Sequence, residues 1–215
     1  METSIFAEGG QWFNQHGLWI VGVFVGLALI QGIYQSYRLG QFKKILLSRG
    51  FTERPGSNAS AYFLERGKVG LAVKTTGRGK RRAVERTLFV QLPQLPAFHF
   101  IGARKEGAAL LSTDRLMTLA KFLFPGKISA IHFKNSQLET GLAAYTFQPD
   151  AAEVPSSVES MLLSHLDLFL DPRVESFKLG EGELDLVVNR DLFLPGRVEE
   201  VEALLGRLQG IKVGG

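Results

Sequence analysis

From Gly17 to Tyr37 the chain reads GLWIVGVFVGLALIQGIYQSY, a charge-free and strongly apolar run. Such a run predicts a helix that meets apolar surroundings all round. Its length matches the about 20 helical residues that cross a bilayer core. No Asp, Glu, Lys or Arg lies between Glu8 and Arg38. Leu18, Ile20, Val21, Val23, Phe24, Val25, Leu27, Leu29, Ile30 and Ile33 together favour insertion by about 3–6 kcal/mol. Trp12 and Trp19 flank one end, Tyr34 and Tyr37 the other, as an aromatic belt at two membrane interfaces requires. The expectation is a retained transmembrane helix over 17–37 with a short external segment, 1–16, before it. A cleaved signal would need a positive n-region, whereas Glu2 and Glu8 stand there instead.

Past Tyr37 the pattern changes. Leu39, Phe42, Ile45 and Leu46 recur at helical spacing with Lys43 and Lys44 between them, so 38–50 reads as a basic amphipathic juxtamembrane helix. It either prolongs the membrane helix or lies along the interface. Gly50 suits its end. TERPGSNAS, 52–60, reads as a linker or turn. Alternation of apolar and polar positions then predicts strands at 61–66, 68–76 and 81–92, with a hairpin turn at Gly77-Arg78-Gly79. Further strands are expected at 97–104, 128–134 and 142–148, and a helix at 111–124. The last third predicts a helix from Ser156 to about Leu170, a hairpin of 173–179 with 183–189, and a helix at 198–208. The class is therefore α+β: one N-terminal transmembrane helix, then a domain over 51–215 with a mainly antiparallel sheet and two helices in its C-terminal half.

Charge adds an orientation. Arg38, Lys43, Lys44, Arg49 and Arg54 follow the apolar run and no cation precedes it. The positive-inside rule puts the domain in the cytoplasm and the protein in the inner membrane. Between Arg38 and Pro149 there are 19 basic and 6 acidic residues, and from Asp150 onward 6 basic and 13 acidic. The expected arrangement turns the basic part, 51–149, to the anionic leaflet and the acidic part, 150–215, away from it. Some opposite charges would pair instead. The chain has no cysteine.

Candidate chemistry is sparse. His16, His99, His132 and His165 share no metal-binding spacing, so neither a metal nor a cofactor is expected. GRGK at 77–80 lacks the spacing of a phosphate-binding loop. Glu181, Glu183 and Asp185 read as an exposed polar strand face. No nucleophile motif is present, and a non-enzymatic role is expected. Arg78, Lys80, Arg81, Arg82 and Arg86 form a basic patch suited to anionic lipid or an acidic protein. No aromatic residue interleaves it, which leaves the stacking of single-strand nucleic-acid binders unsupported. Gly22 and Gly26, with Ala28 and Gly32, place small residues four apart on the apolar helix, a spacing that lets another helix approach closely.

These features predict an accessory subunit that packs against and caps a larger membrane complex. The alternative is a free-standing tether that binds an acidic protein or anionic lipid through 78–82. In plan the chain resembles the H subunit of purple bacterial photosynthetic reaction centres, which also has a short external N-terminus, one span and a β-rich cytoplasmic domain. That resemblance implies a structural role beside photosynthetic or respiratory subunits. The helix-rich C-terminal third departs from it, and no motif is shared.

Overall fold

A computed structural model describes residues 4–55, 62–76, 83–96, 98–105, 129–146, 153–180 and 182–212, with residues 4–16, 18, 75, 76 and 83 described as backbone only. The first element is a single helix, α1, Ser4–Ser48, 45 residues long. It contains no proline, and its glycines do not interrupt it. Within it, Trp19–Ser48 is long and apolar enough to cross a membrane, and its most apolar window is not buried in the domain. The amphipathic stretch therefore prolongs the apolar helix rather than forming a separate element.

The end of α1 is set by local chemistry. Gly50 adopts φ +86°. The Gly50 and Phe51 N–H groups donate to Leu47 O and Leu46 O at 3.2 Å each. This is a Schellman cap, and Phe51 and Leu46, buried together in the core, supply its accompanying apolar contact. A β-branched or bulky residue at Gly50 would be strained, because only glycine takes that φ at no steric cost.

Strands β1 (Thr52–Glu53), β2 (Tyr62–Arg66), β3 (Val69–Thr76), β4 (Ala83–Gln91), β5 (Phe100–Arg104), β6 (Ser129–Ile131), β7 (Leu142–Thr146), β8 (Val174–Gly180) and β9 (Glu183–Val188) form one sheet. Its order is β1-β2-β3-β4-β9-β8-β5-β7-β6, and every pairing is antiparallel. Part of the expected linker is therefore a strand, since Thr52 and Glu53 pair with Glu65 and Leu64. The predicted strand at 128–134 shortens, because Asn135 accepts from the N–H groups of Gln137 and Leu138 and caps an unpredicted short helix, α2, Ser136–Gly141. The predicted helix of 156–170 is two helices, α3 (Ser156–Ser164) and α4 (Leu166–Phe169), separated at His165. Two 3-10 turns, Arg190–Phe193 and Pro195–Arg197, lead into α5, Val198–Gln209. The helix and hairpin tip expected at 111–124 and 77–82 lie outside the described residues.

Helices and sheet share one core. Leu64, Leu71, Leu88, Leu186 and Phe177 from the strands meet Met161, Leu162, Phe169, Val201, Leu204 and Leu208 from the helices. Phe42 and Leu46 of α1 belong to the same cluster, both 0 % exposed. They stand four apart on one helix face, and Leu39 and Ile45 flank them against the core. The apolar stripe of 38–50 thus faces the domain. Phe42 stacks on Phe193 with ring centroids 5.1 Å apart.

The two charge blocks are not two layers. The β8–β9 hairpin comes from the acidic part and is inserted between β4 and β5 of the basic part. Ion pairs join the blocks: Arg49 with Glu202, Arg66 with Glu202 at 3.3 Å, Lys134 with Glu153 at 2.8 Å and Lys178 with Glu85 at 3.1 Å. Segments of the two blocks therefore interleave in the sheet, and the pairing of opposite charges that the sequence allowed occurs between them. Antiparallel pairing of distant segments mixes what the linear order separates.

The expected exposed face of β9 differs at Asp185, while Glu181 lies outside the described residues. Asp185 is half-buried, and its Oδ1 has no hydrogen-bond partner. Burial, then the charge of Glu183, pushes its carboxyl up to about 6, against the pull of Lys74 and Lys178.

Candidate functional site

The apolar part of α1 offers one kind of surface. Trp19 is 79 % exposed and Ile33 70 %, and Tyr34 and Tyr37 are exposed as well. The Trp12 position lies on the helix, with only its backbone described. Gly22, Gly26 and Gly32 have ordinary helical backbone, and an added Cβ at each would meet nothing within 4 Å. Ala28 is exposed between them. Packing among the described residues therefore gives no reason for small residues there.

Where α1 meets the domain, a cleft of about 870 Å³ opens. One wall is α1 from Gln31 to Lys43. The other is built from Tyr62, Val73, Val84, Arg86, Arg190, Asp191, Phe193 and Leu194. Strand register explains the back of it. Tyr62 pairs with Val73, and Val73 pairs with Arg86, so three side chains from three neighbouring strands line up on the core side of the sheet. Val84, two residues before Arg86, lies on the same face by the period of two. The 3-10 turn at Arg190–Phe193 closes the remaining side, with Phe193 held by its stack on Phe42.

The cleft is cationic. Among the described residues, Arg38, Lys43, Arg86 and Arg190 line it against one carboxylate, Asp191. Lys43 donates to Glu53 at 2.6 Å and lies 5.3 Å from the Tyr62 ring centroid. Arg190 pairs with Asp191 at 3.7 Å. Arg38 lies over the Tyr34 ring at 5.4 Å, and neither Arg38 nor Arg86 has an ion-pair partner among the described residues. Arg86 donates through Nη1 to Val84 O at 3.3 Å, while its Nε is buried and unpartnered. The Tyr62 hydroxyl is also buried and unpartnered, on a residue 2 % exposed. Burial lowers the Arg86 pKa and raises that of Tyr62. The guanidinium stays charged at neutral pH, and the phenol stays a hydrogen-bond donor.

Of the basic patch predicted from sequence, only Arg86 falls among the described residues. Arg78, Lys80, Arg81 and Arg82 lie outside them. Arg86 is not an exposed tip residue: it lines the cleft. Three contributors were not anticipated, namely Tyr62, Arg190 and Asp191. Tyr62 is an ordinary strand residue by its spacing, and Arg190–Asp191 lies in a stretch without periodicity. Among the described residues no group of three His, Asp or Glu side chains is arranged to hold a metal ion. No protein-family model matches the chain, and no curated protein matches it.

Proposed function

We propose that the protein is a single-pass membrane protein and a non-catalytic accessory subunit that packs against and caps a larger membrane complex. The observation that carries this reading is the junction without a linker. One helix runs from the exposed apolar stretch into the domain core. Arg49 and Arg66 hold its end to Glu202 of α5, and Arg66 also donates to Arg49 O at 3.2 Å. A tether that merely recruits a soluble partner gains reach from a flexible linker. A brace needs span and domain in fixed relation, and this junction favours the brace.

Small residues at Gly22, Gly26, Ala28 and Gly32 meet no packing partner among the described residues, which fits a face for a neighbouring helix. The cations after the apolar run favour an outside N-terminus and a cytoplasmic domain in the inner membrane. The tethering alternative acts through 78–82, which lie outside the described residues. The test is purification in mild detergent. Stoichiometric membrane partners are expected, and the substitutions Gly22→Leu and Gly26→Leu together should release them. A chain that migrates alone as a monomer would defeat the subunit reading.

A further inference from the structure

We infer that the cleft at the foot of α1 binds the phosphate of one anionic phospholipid from the leaflet that α1 leaves. The inference rests on the proposed span. Three independent features converge on that ligand.

The first is donor supply without acceptors. Arg38 and Arg86 have no carboxylate partner among the described residues, and the Tyr62 hydroxyl and Arg86 Nε are buried without hydrogen bonds. A buried unpaired donor is costly in an apolar setting. Tyr62, Arg86 and Arg38 all line one cleft; donors without acceptors there call for an oxygen-rich anion, and arginine suits phosphate through its planar fork.

The second is the apolar part of the lining. Leu39, Val73, Val84, Phe193 and Leu194 share the cleft with the cations. Inorganic phosphate has no use for that surface. A glycerol backbone and the first carbons of acyl chains would cover it. Val84, 46 % exposed, is unusually open for a strand valine beside a core.

The third is height. Arg38 follows Ile33 by five residues, which is about 7.5 Å of helix. The polar layer of a bilayer is roughly 5–7 Å deep on each side of its core. With Ile33 at the edge of the hydrocarbon and Tyr34 and Tyr37 in the belt, Arg38 comes level with the phosphates. The excess of cations over Asp191 then favours a lipid of net negative charge over a zwitterionic one.

The full chain, delipidated in dodecyl maltoside, is titrated with dioctanoyl phosphatidylglycerol, dioctanoyl phosphatidylcholine and inorganic phosphate, and adducts are counted by native mass spectrometry. Phosphatidylglycerol should bind about tenfold more tightly than either of the others. Arg86→Gln should reduce that selectivity about tenfold, since a charge-assisted bond is lost. Tyr62→Phe should weaken phosphatidylglycerol about threefold; it removes a hydroxyl that has no partner in the unliganded chain, so the fold survives it. Arg38→Gln, on the α1 wall, gives the same reading if Arg86→Gln fails to fold. Equal binding of the two lipids, unchanged selectivity in the variants, or inorganic phosphate binding as tightly as phosphatidylglycerol would each overturn the inference. Alkaline extraction of native membranes tests the span separately: release of the chain into the supernatant defeats the membrane reading whatever the detergent titration gives.

Discussion

Phe42→Ala removes the side chain through which α1 is most deeply sunk in the domain. Phe42 is 0 % exposed and stacks on Phe193 at 5.1 Å. Truncating a fully buried phenylalanine costs about 3–5 kcal/mol, combining lost transfer energy with the cavity left behind. The cavity would open beneath Phe193 and beside Leu46, both held in place by the rest of the core, so collapse is restricted and the upper part of that range applies. A domain of this size is stable by about 5–15 kcal/mol, and the loss is a large fraction of it. Leu47→Ala is the matched control. Leu47 follows Leu46 on the same helix but is 37 % exposed, and its truncation should cost no more than about 1 kcal/mol. The assay is urea unfolding of the full chain in maltoside micelles, followed by near-UV circular dichroism of the domain aromatics. Phe42→Ala should lower the midpoint sharply, and Leu47→Ala should barely move it. If the two variants agreed within about 0.5 kcal/mol, α1 would not be part of the domain core and the junction would have to be abandoned.

Three further substitutions probe the sheet. Asp185 has its folded-state pKa raised to about 6 by burial and by Glu183. The native state therefore binds more protons than the unfolded chain between the ordinary aspartate pKa and about 6, and stability falls as pH rises through that window. Asp185→Asn should gain roughly 1–2 kcal/mol at pH 7.5 and almost nothing at pH 3.5; an equal gain at both pH values would dismiss the buried carboxylate as its cause. Gly102 faces Phe177 across β5 and β8, and Gly70 faces Phe89 across β3 and β4. A Cβ at either would collide with the ring opposite, and at Gly70 also with Leu64 O. Either Gly→Ala change should cost about 1–3 kcal/mol in thermal unfolding, while Gly206→Ala, with open space at its Cβ and a helical backbone, should be neutral or stabilising. A neutral Gly70→Ala would contradict the strand register.

The elements with strong periodicity were legible. The apolar run, Gly50 as a helix end, the alternation of Val69, Leu71 and Val73, the C-terminal hairpin and the Val201–Leu204–Leu205–Leu208 face all follow from local pattern. Strand order did not. Placing β8–β9 between β4 and β5 depends on which faces complete one core, and no local signal in Phe177 or Leu186 marks that neighbour. The cleft was only partly visible for the same reason. Arg38 and Arg86 draw attention by charge, but Arg86 read as part of a basic tip because it follows Arg78–Arg82 closely in sequence. Its pairing with Val73 turns it inward. Tyr62 becomes notable only when its hydroxyl is found without a partner, and Asp185 only when its neighbours bury it.

The relation between the apolar helix and the domain is the point on which the proposed bracing role depends. Because the chain has no cysteine, paired spin labels can be introduced cleanly. Leu29, exposed on the apolar helix, and Leu163, exposed on α3, provide the pair as Leu29→Cys and Leu163→Cys, measured by electron-electron dipolar spectroscopy with the full chain in lipid nanodiscs. The control is a pair within α1 itself, Leu29→Cys with Leu47→Cys. A single distance distribution as narrow as that of the control pair is expected for a domain carried rigidly by its helix. A distribution much broader than the control pair gives would mean that the domain swings freely at the membrane surface, and the bracing role would be lost.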